Sequence, residues 1–245
     1  MLNYDDFQQI KELKENNYET YALIKKISDF CLNTLSISFH DIKNHVAFIS
    51  SYCQLAVLKN APLTQTREFS RIETGLKDLT DFLTNISLLR YSFCNSDFTE
   101  YNLSDIWKTA SNNIKENQSG NRYIIHGAEV VENCCYKIFC NPENMAQAFS
   151  AIMINAIEAC KENTAVLSVS LTEKQGQLYL SICDNGCQFS DKMLIEGINP
   201  FVTEKPDHTG LGLCIAAATL YMQNGNLQFS NTDKGAKVTA IFPYL

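Results

Sequence analysis

Asp184-Asn185-Gly186-Cys187-Gln188-Phe189, then Asn199-Pro200-Phe201-Val202-Thr203-Glu204-Lys205, then Thr209-Gly210-Leu211-Gly212-Leu213 follow one another along residues 184–213. Asn155-Ala156-Ile157-Glu158-Ala159 lies shortly upstream. Each piece supplies something that a bound nucleotide needs. A lone carboxylate accepts from an adenine amino group. Small residues let backbone N–H groups approach phosphates, best at a helix start. An Asn on a helix offers an oxygen to Mg²⁺, which prefers oxygen ligands and keeps several waters. The four pieces in this order imply a site for ATP.

Working outward, the segments around these motifs mix strands and helices. Leu103–Lys115 and Asn144–Lys161 read as helices. Tyr123–Ile125, Cys135–Phe139, Val166–Leu171 and Leu178–Cys183 read as strands, the last two joined by a turn at Gln175-Gly176. Gly212–Asn224 reads as a helix with Gly225 as its left-handed C-cap, and Leu227–Ser230 with Lys237–Phe242 as a closing strand pair. This pattern predicts an α+β sandwich, one sheet covered by helices, over residues 96–245.

The first part, residues 1–95, has a different character. Ile24, Ile27, Cys31, Leu35, Ile42, Val46, Ile49 and Cys53 recur at helical spacing and predict one long helix from about Tyr18 to Lys59. Asn60-Ala61-Pro62-Leu63-Thr64 breaks it. Phe69, Ile72, Leu76, Leu79, Leu83, Ile86 and Leu89 predict a second helix from about Gln65 to Tyr91. One such hairpin leaves an apolar stripe uncovered. Pairing two hairpins into a four-helix bundle buries it, so a homodimer is expected. The competing arrangement is a monomer whose hairpin packs on its own second domain.

Composition narrows the function. The 245 residues carry a net charge of −7 and a pI near 5.1, which argue against a nucleic-acid surface. No apolar run approaches a membrane span, and the polar N-terminus does not read as a signal peptide, so a cytoplasmic protein is expected. The ten cysteines are expected to be small buried hydrophobes, with Cys53, Cys160 and Cys214 in apolar patterns. Cys134, Cys135 and Cys140 contain no CxxC pair, which argues against zinc.

The nucleotide motifs resemble the ATP-binding domain shared by sensor histidine kinases, type II topoisomerases and heat-shock chaperones. The closest likeness is to the histidine kinases, because Phe39-His40-Asp41-Ile42-Lys43-Asn44-His45 resembles their phosphoacceptor box. The HDxxNH form is similar to that of kinases related to nitrogen, citrate and peptide sensing. The resemblance implies Asn155 as the Mg²⁺-binding Asn, with Glu158 one turn on in either a nucleotide-site or a surface role. It implies Asp184 as the adenine-recognising residue, although Asp-Asn-Gly is also a good turn sequence. Gly186 matches the first glycine of the box, and Gln188 replaces the second. Phe201 matches a residue that anchors the segment over the nucleotide. Lys205 is a candidate phosphate contact, or a solvated lysine. Thr209, Gly210, Leu211, Gly212 and Leu213 match the second glycine box. His208 stands where many relatives have glycine, and Ala151 where many have a second Asn.

The same resemblance implies His40 as the phosphoacceptor, with Asp41 orienting its ring. Asn44, one turn on, would position water to dephosphorylate a partner. It implies a homodimeric two-component kinase that transfers phosphate from Mg·ATP to His40 and then to an Asp of a response regulator. Fewer than forty residues precede His40. Input is therefore expected from the short N-terminal helix, a partner or a cytosolic ligand. Ala151 and Gln188 support a second reading, a non-catalytic phosphotransferase or scaffold with a degenerate ATP fold. A third, an anti-sigma serine kinase, would lack the His-bearing hairpin.

Overall fold

The computed structural model describes residues 4–94, 97–117, 122–160, 164–203, 205 and 209–245. Glu204 and His208 of the motifs, Lys161 at the expected helix end, and Asn95 and Ser96 between the two parts lie outside the described residues. The chain divides into two compact units, residues 5–90 and 91–245.

The first unit is helical. Helix α1 spans Tyr4–Asn16 and α2 spans Tyr18–Lys59. Between them, Asn17 caps α2 by accepting from the Thr20 N–H. A short 3₁₀ turn, Ala61–Gln65, begins with Pro62 in its first turn and leads to α3, Arg67–Cys94. Proline has no N–H and fits where a helix start would leave one unused. Val46, Phe69 and Leu83 are buried in this unit. Lys43 Nζ donates to Ser87 Oγ at 2.9 Å, tying α2 to α3 one turn from His40. Most of the expected stripe stays exposed in the single chain, including Ile24, Ile27, Leu35, Ile42, Ile49, Ile72 and Leu79.

The second unit begins with β1 (Thr99–Asn102), followed by α4 (Leu103–Asn117), β2 (Tyr123–His126), α5 (Glu129–Glu132), β3 (Lys137–Cys140) and α6 (Pro142–Glu158). It continues through β4 (Ala165–Lys174), β5 (Gln177–Cys183), α7 (Asp191–Glu196), α8 (Gly212–Met222), β6 (Asn226–Asn231) and β7 (Ala236–Pro243). Five strands form one sheet in the order β2-β4-β5-β7-β6, with β2 parallel to β4 and the other neighbours antiparallel. A second, two-stranded sheet pairs β1 with β3.

Alternation along the strands makes one buried face. Leu167 and Val169, Leu178, Leu180 and Ile182, and Val238, Ala240 and Phe242 meet α4, α6 and α8 there. Trp107, Phe149 and Phe242 stack in sequence through this core, with ring centroids 6.3 and 5.7 Å apart. Helix α6 is fixed at its start by Asn141, which accepts from the Asn144 N–H at 2.9 Å, and by Pro142 in its first turn.

Several details differ from the sequence expectations. The left-handed residue after α8 is Asn224, at φ 58°, and not Gly225. Gly225 is required for closeness instead: a Cβ there would lie 2.4 Å from the Ile241 carbonyl oxygen. The Gln175-Gly176 turn does take two positive φ values, 53° and 73°, the twist a tight hairpin needs. Of the cysteines, Cys140 and Cys214 are buried, and burial pushes both thiols up to about 12. Cys53 and Cys160 are only partly buried, and Cys31, Cys135 and Cys187 are exposed. Among the described residues no helix is long and apolar enough to cross a membrane.

Candidate nucleotide site

The carboxyl end of β5 delivers Asp184 into a buried position, 7% exposed. Its Oδ1 accepts from the Gly186 N–H at 2.8 Å and the Ala236 N–H at 3.2 Å. Among the described residues Oδ2 has no such donor. Burial pushes the carboxyl above its ordinary range, while these two N–H groups and the Lys205 ammonium pull it back. The two backbone donors fix the plane of the carboxylate. That leaves one oxygen able to take a hydrogen bond from a ligand.

The support beneath Asp184 was not visible in the motif itself. A Cβ on Gly186 would lie 2.6 Å from the Ala159 carbonyl carbon, at the end of α6. A Cβ on Gly235 would lie 2.2 Å from the Asp184 carbonyl oxygen and 2.8 Å from Oδ1. Gly235, in the β6–β7 turn, and Ala236, the first residue of β7, therefore hold the site as closely as the motif glycine does. The only sequence sign was a turn-forming Asp-Lys-Gly before the last strand. Gln188, in place of a glycine, donates from Nε2 to the Thr232 carbonyl of that same turn at 2.5 Å.

Opposite in sequence but adjacent in space, α6 presents Asn155 and Glu158 to Lys205. Lys205 Nζ donates to Asn155 Oδ1 at 3.0 Å and to the Asn155 carbonyl oxygen at 3.1 Å, and pairs with Glu158 Oε2 at 3.5 Å. The paired side chains are only 26% and 23% exposed. Burial lowers the Lys205 pKa, and the Glu158 carboxylate, followed by Asp184, raises it back. Thus Asn155, Glu158, Lys205 and Asp184 form one electrostatic cluster. Asn155 Oδ1 and the Glu158 carboxylate are oxygen donors, the kind that Mg²⁺ prefers.

Gly210 takes φ 67°, and a Cβ there would lie 2.7 Å from the Val202 carbonyl oxygen. Helix α8 starts at Gly212 without a side-chain cap, so its first N–H groups are available to anionic oxygens. Ala151 Cβ lies 4.0 Å from where a Cβ on Gly212 would be, so the residue that replaces the second Asn faces this helix start. Phe201 is not packed in the core: it is 57% exposed at φ 65°. Thr209 and Leu211 flank Gly210, with Leu211 fully buried.

Residues 140–245 match the family model for histidine kinase-, DNA gyrase B- and HSP90-like ATPases. The chain is similar to sensor histidine kinases. Sporulation kinase D of Bacillus subtilis is 26% identical over 216 residues, 86% of this chain and 42% of that protein. The nisin biosynthesis sensor protein NisK of Lactococcus lactis is 32% identical over 95 residues, 37% of this chain and 21% of its own length. The chain thus spans less than half the length of either relative. Among solved structures, the Acinetobacter baumannii histidine kinase AdeS aligns with a TM-score of 0.53 at 16% identity, covering 82% of this chain and 95% of that one. The mycobacterial sensor histidine kinase MprB aligns at 0.51 and 15%, covering 60% and 97%. These structural likenesses concern the fold.

The His40 region lies within the helical unit. His40 and Asp41 are exposed on α2, at 72% and 66% of their side-chain surface, with Nδ1 3.5 Å from Asp41 Oδ1. Asn44 Nδ2 lies 3.3 Å from the same His40 Nδ1. Both neighbours therefore compete for one ring nitrogen.

Proposed function

We propose that this kinase core binds Mg·ATP, phosphorylates His40, and passes the phosphoryl group to an aspartate of a response-regulator receiver domain. The observation that carries the nucleotide half is Asp184, buried, with one oxygen held by two backbone donors and the other able to accept. An acceptor favours adenine, which offers an amino group, over guanine, which offers a carbonyl at that position. Asn155 and Glu158 would hold the cation end, and the Gly210–Gly212 backbone at the α8 start would meet phosphate oxygens. Bound Mg²⁺ supplies charge compensation on the phosphates. Within the chain, Asp41 orients the His40 ring, and the exposed Nε2 acts as nucleophile.

Asp184→Asn tests the nucleotide half. The amide offers a donor or a rotated, mismatched acceptor, and an unpaired buried polar group costs about 1–3 kcal/mol. Calorimetric titration should show ATP affinity falling roughly ten- to hundredfold, with the preference over GTP lost. Unchanged ATP affinity would reduce Asp184 to a turn residue. The Gln188 side chain is accommodated against the β6–β7 turn, which supports the kinase reading over that of a degenerate ATP fold.

The exposed apolar residues on α2 and α3 support a homodimeric four-helix bundle, since a soluble helical surface seldom leaves such a stripe uncovered. Light scattering should give twice the chain mass for the wild type. The double variant Ile27→Glu, Leu35→Glu should shift it towards the single-chain mass. A wild-type protein with the mass of one chain would remove the bundle from this reading.

A further inference from the structure

Lys205 is the only described lysine whose ammonium is gathered by three oxygens of the nucleotide site. Two belong to Asn155, at 3.0 and 3.1 Å, and the third is Glu158 Oε2 at 3.5 Å. The lysine backbone is itself held, with its N–H donating to Thr203 Oγ1 at 3.1 Å. A solvated lysine on a surface segment would not make such contacts, because fixing four side-chain torsions costs more than one exposed ion pair returns. Here the pair is three-quarters withdrawn from water, and Asp184 adds a second favourable charge.

We infer that Lys205 is an internal occupant of the divalent-cation position, displaced when Mg²⁺ enters with nucleotide. This inference rests on the ATP reading of the site and goes beyond it. The argument is one of shared ligands. A Mg²⁺ bound to Asn155 Oδ1 would lie within a few ångströms of the ammonium that the same oxygen accepts from, and a divalent and a monovalent cation that close repel strongly in a partly buried site. The two cations therefore exclude each other there. Lys205 balances the Glu158 and Asp184 carboxylates before nucleotide binds, which lowers the cost of keeping them close together in a partly buried site. It also imposes a threshold: Mg²⁺ must compete with a tethered cation, whose local concentration does not fall on dilution.

A phosphate-contact role alone and this displacement role predict opposite signs. If Lys205 only neutralised phosphates, removing it would raise the Mg²⁺ concentration needed for nucleotide binding. If it occupies the cation position, removing it lowers that concentration. ADP is the suitable probe, because it lacks the γ-phosphate. Binding of ADP to wild type, Lys205→Met and Lys205→Arg would be measured by calorimetry across a Mg²⁺ series, with circular dichroism confirming each variant's fold. Lys205→Met is expected to lower the half-saturating Mg²⁺ about three- to tenfold. Lys205→Arg keeps the cation and should stay within about twofold of wild type. Half-saturation that is unchanged or raised in Lys205→Met overturns the displacement role while leaving the ATP site intact. Failure of the wild type to bind ADP at any Mg²⁺ concentration overturns both readings. Should the Met variant fail to fold, Lys205→Gln gives the same neutralisation, and the same sign decides.

Discussion

Incubated with γ-labelled ATP and Mg²⁺, the chain is expected to take up label on His40 and on no other residue. The effect of His40→Gln is correspondingly complete: the variant should carry no label at all. The His40 side chain stands clear of the helix surface, so a donor can reach its ring. His45, five residues on, is also exposed but lies on a different azimuth of α2, away from the Asp41 and Asn44 contacts. His45→Gln should therefore label normally. The product is a phosphoramidate, lost in acid and comparatively stable in base, the reverse of a serine phosphate. Acid-stable label, or label persisting in His40→Gln, would remove His40 from the mechanism. Absence of label from ATP, combined with phosphate uptake from a phosphorylated receiver domain, would favour the phosphotransferase reading.

The long elements were legible because burial is written into their spacing. Helix α2 runs from Tyr18 to Lys59 and ends where Pro62 follows. Strand β4 shows the alternation that a one-sided sheet requires, whereas the more central β5 and β7 are buried continuously over residues 180–182 and 238–242. Strand β1 was not legible. Thr99–Asn102 is exposed on both faces and is held by its ladder to β3, so it has no hydrophobic period to read. Helix α7 is too short to show a helical period, and only Ser190, capping Met193 N–H, marks its start.

The same division applies to the site. Asn155, Asp184 and the glycines stand in local motifs whose chemistry can be read directly. The contacts that position them cross long sequence separations: Ala236 reaches Asp184 over 52 positions, and Lys205 reaches Asn155 over 50. No local pattern encodes such a meeting. It follows from β7 lying beside β5 and from Lys205 lying against α6. Lys205 read as a phosphate contact or a solvated side chain, and its contacts with the α6 oxygens carry no sign in the local sequence.

The two neighbours of His40 should divide its chemistry, and the division follows from tautomers. Asp41 and Asn44 both approach Nδ1, at 3.5 and 3.3 Å. A carboxylate there accepts from Nδ1–H, which leaves the Nε2 lone pair free to attack. An amide there donates to Nδ1, which places the proton on Nε2 and blocks attack. Asp41→Asn removes the only acceptor charge at this nitrogen, so autophosphorylation should slow about a hundredfold or more, the usual worth of a positioned acid–base or orienting group. Asn44→Ala removes the competing donor, so autophosphorylation should proceed at or above the wild-type rate. The lost amide can no longer hold a water, so dephosphorylation of a cognate receiver domain should fall. Paired kinetics of both reactions on both variants provide the test. Equal loss of both activities in the two variants would mean that they support the helix pair and do not select the tautomer.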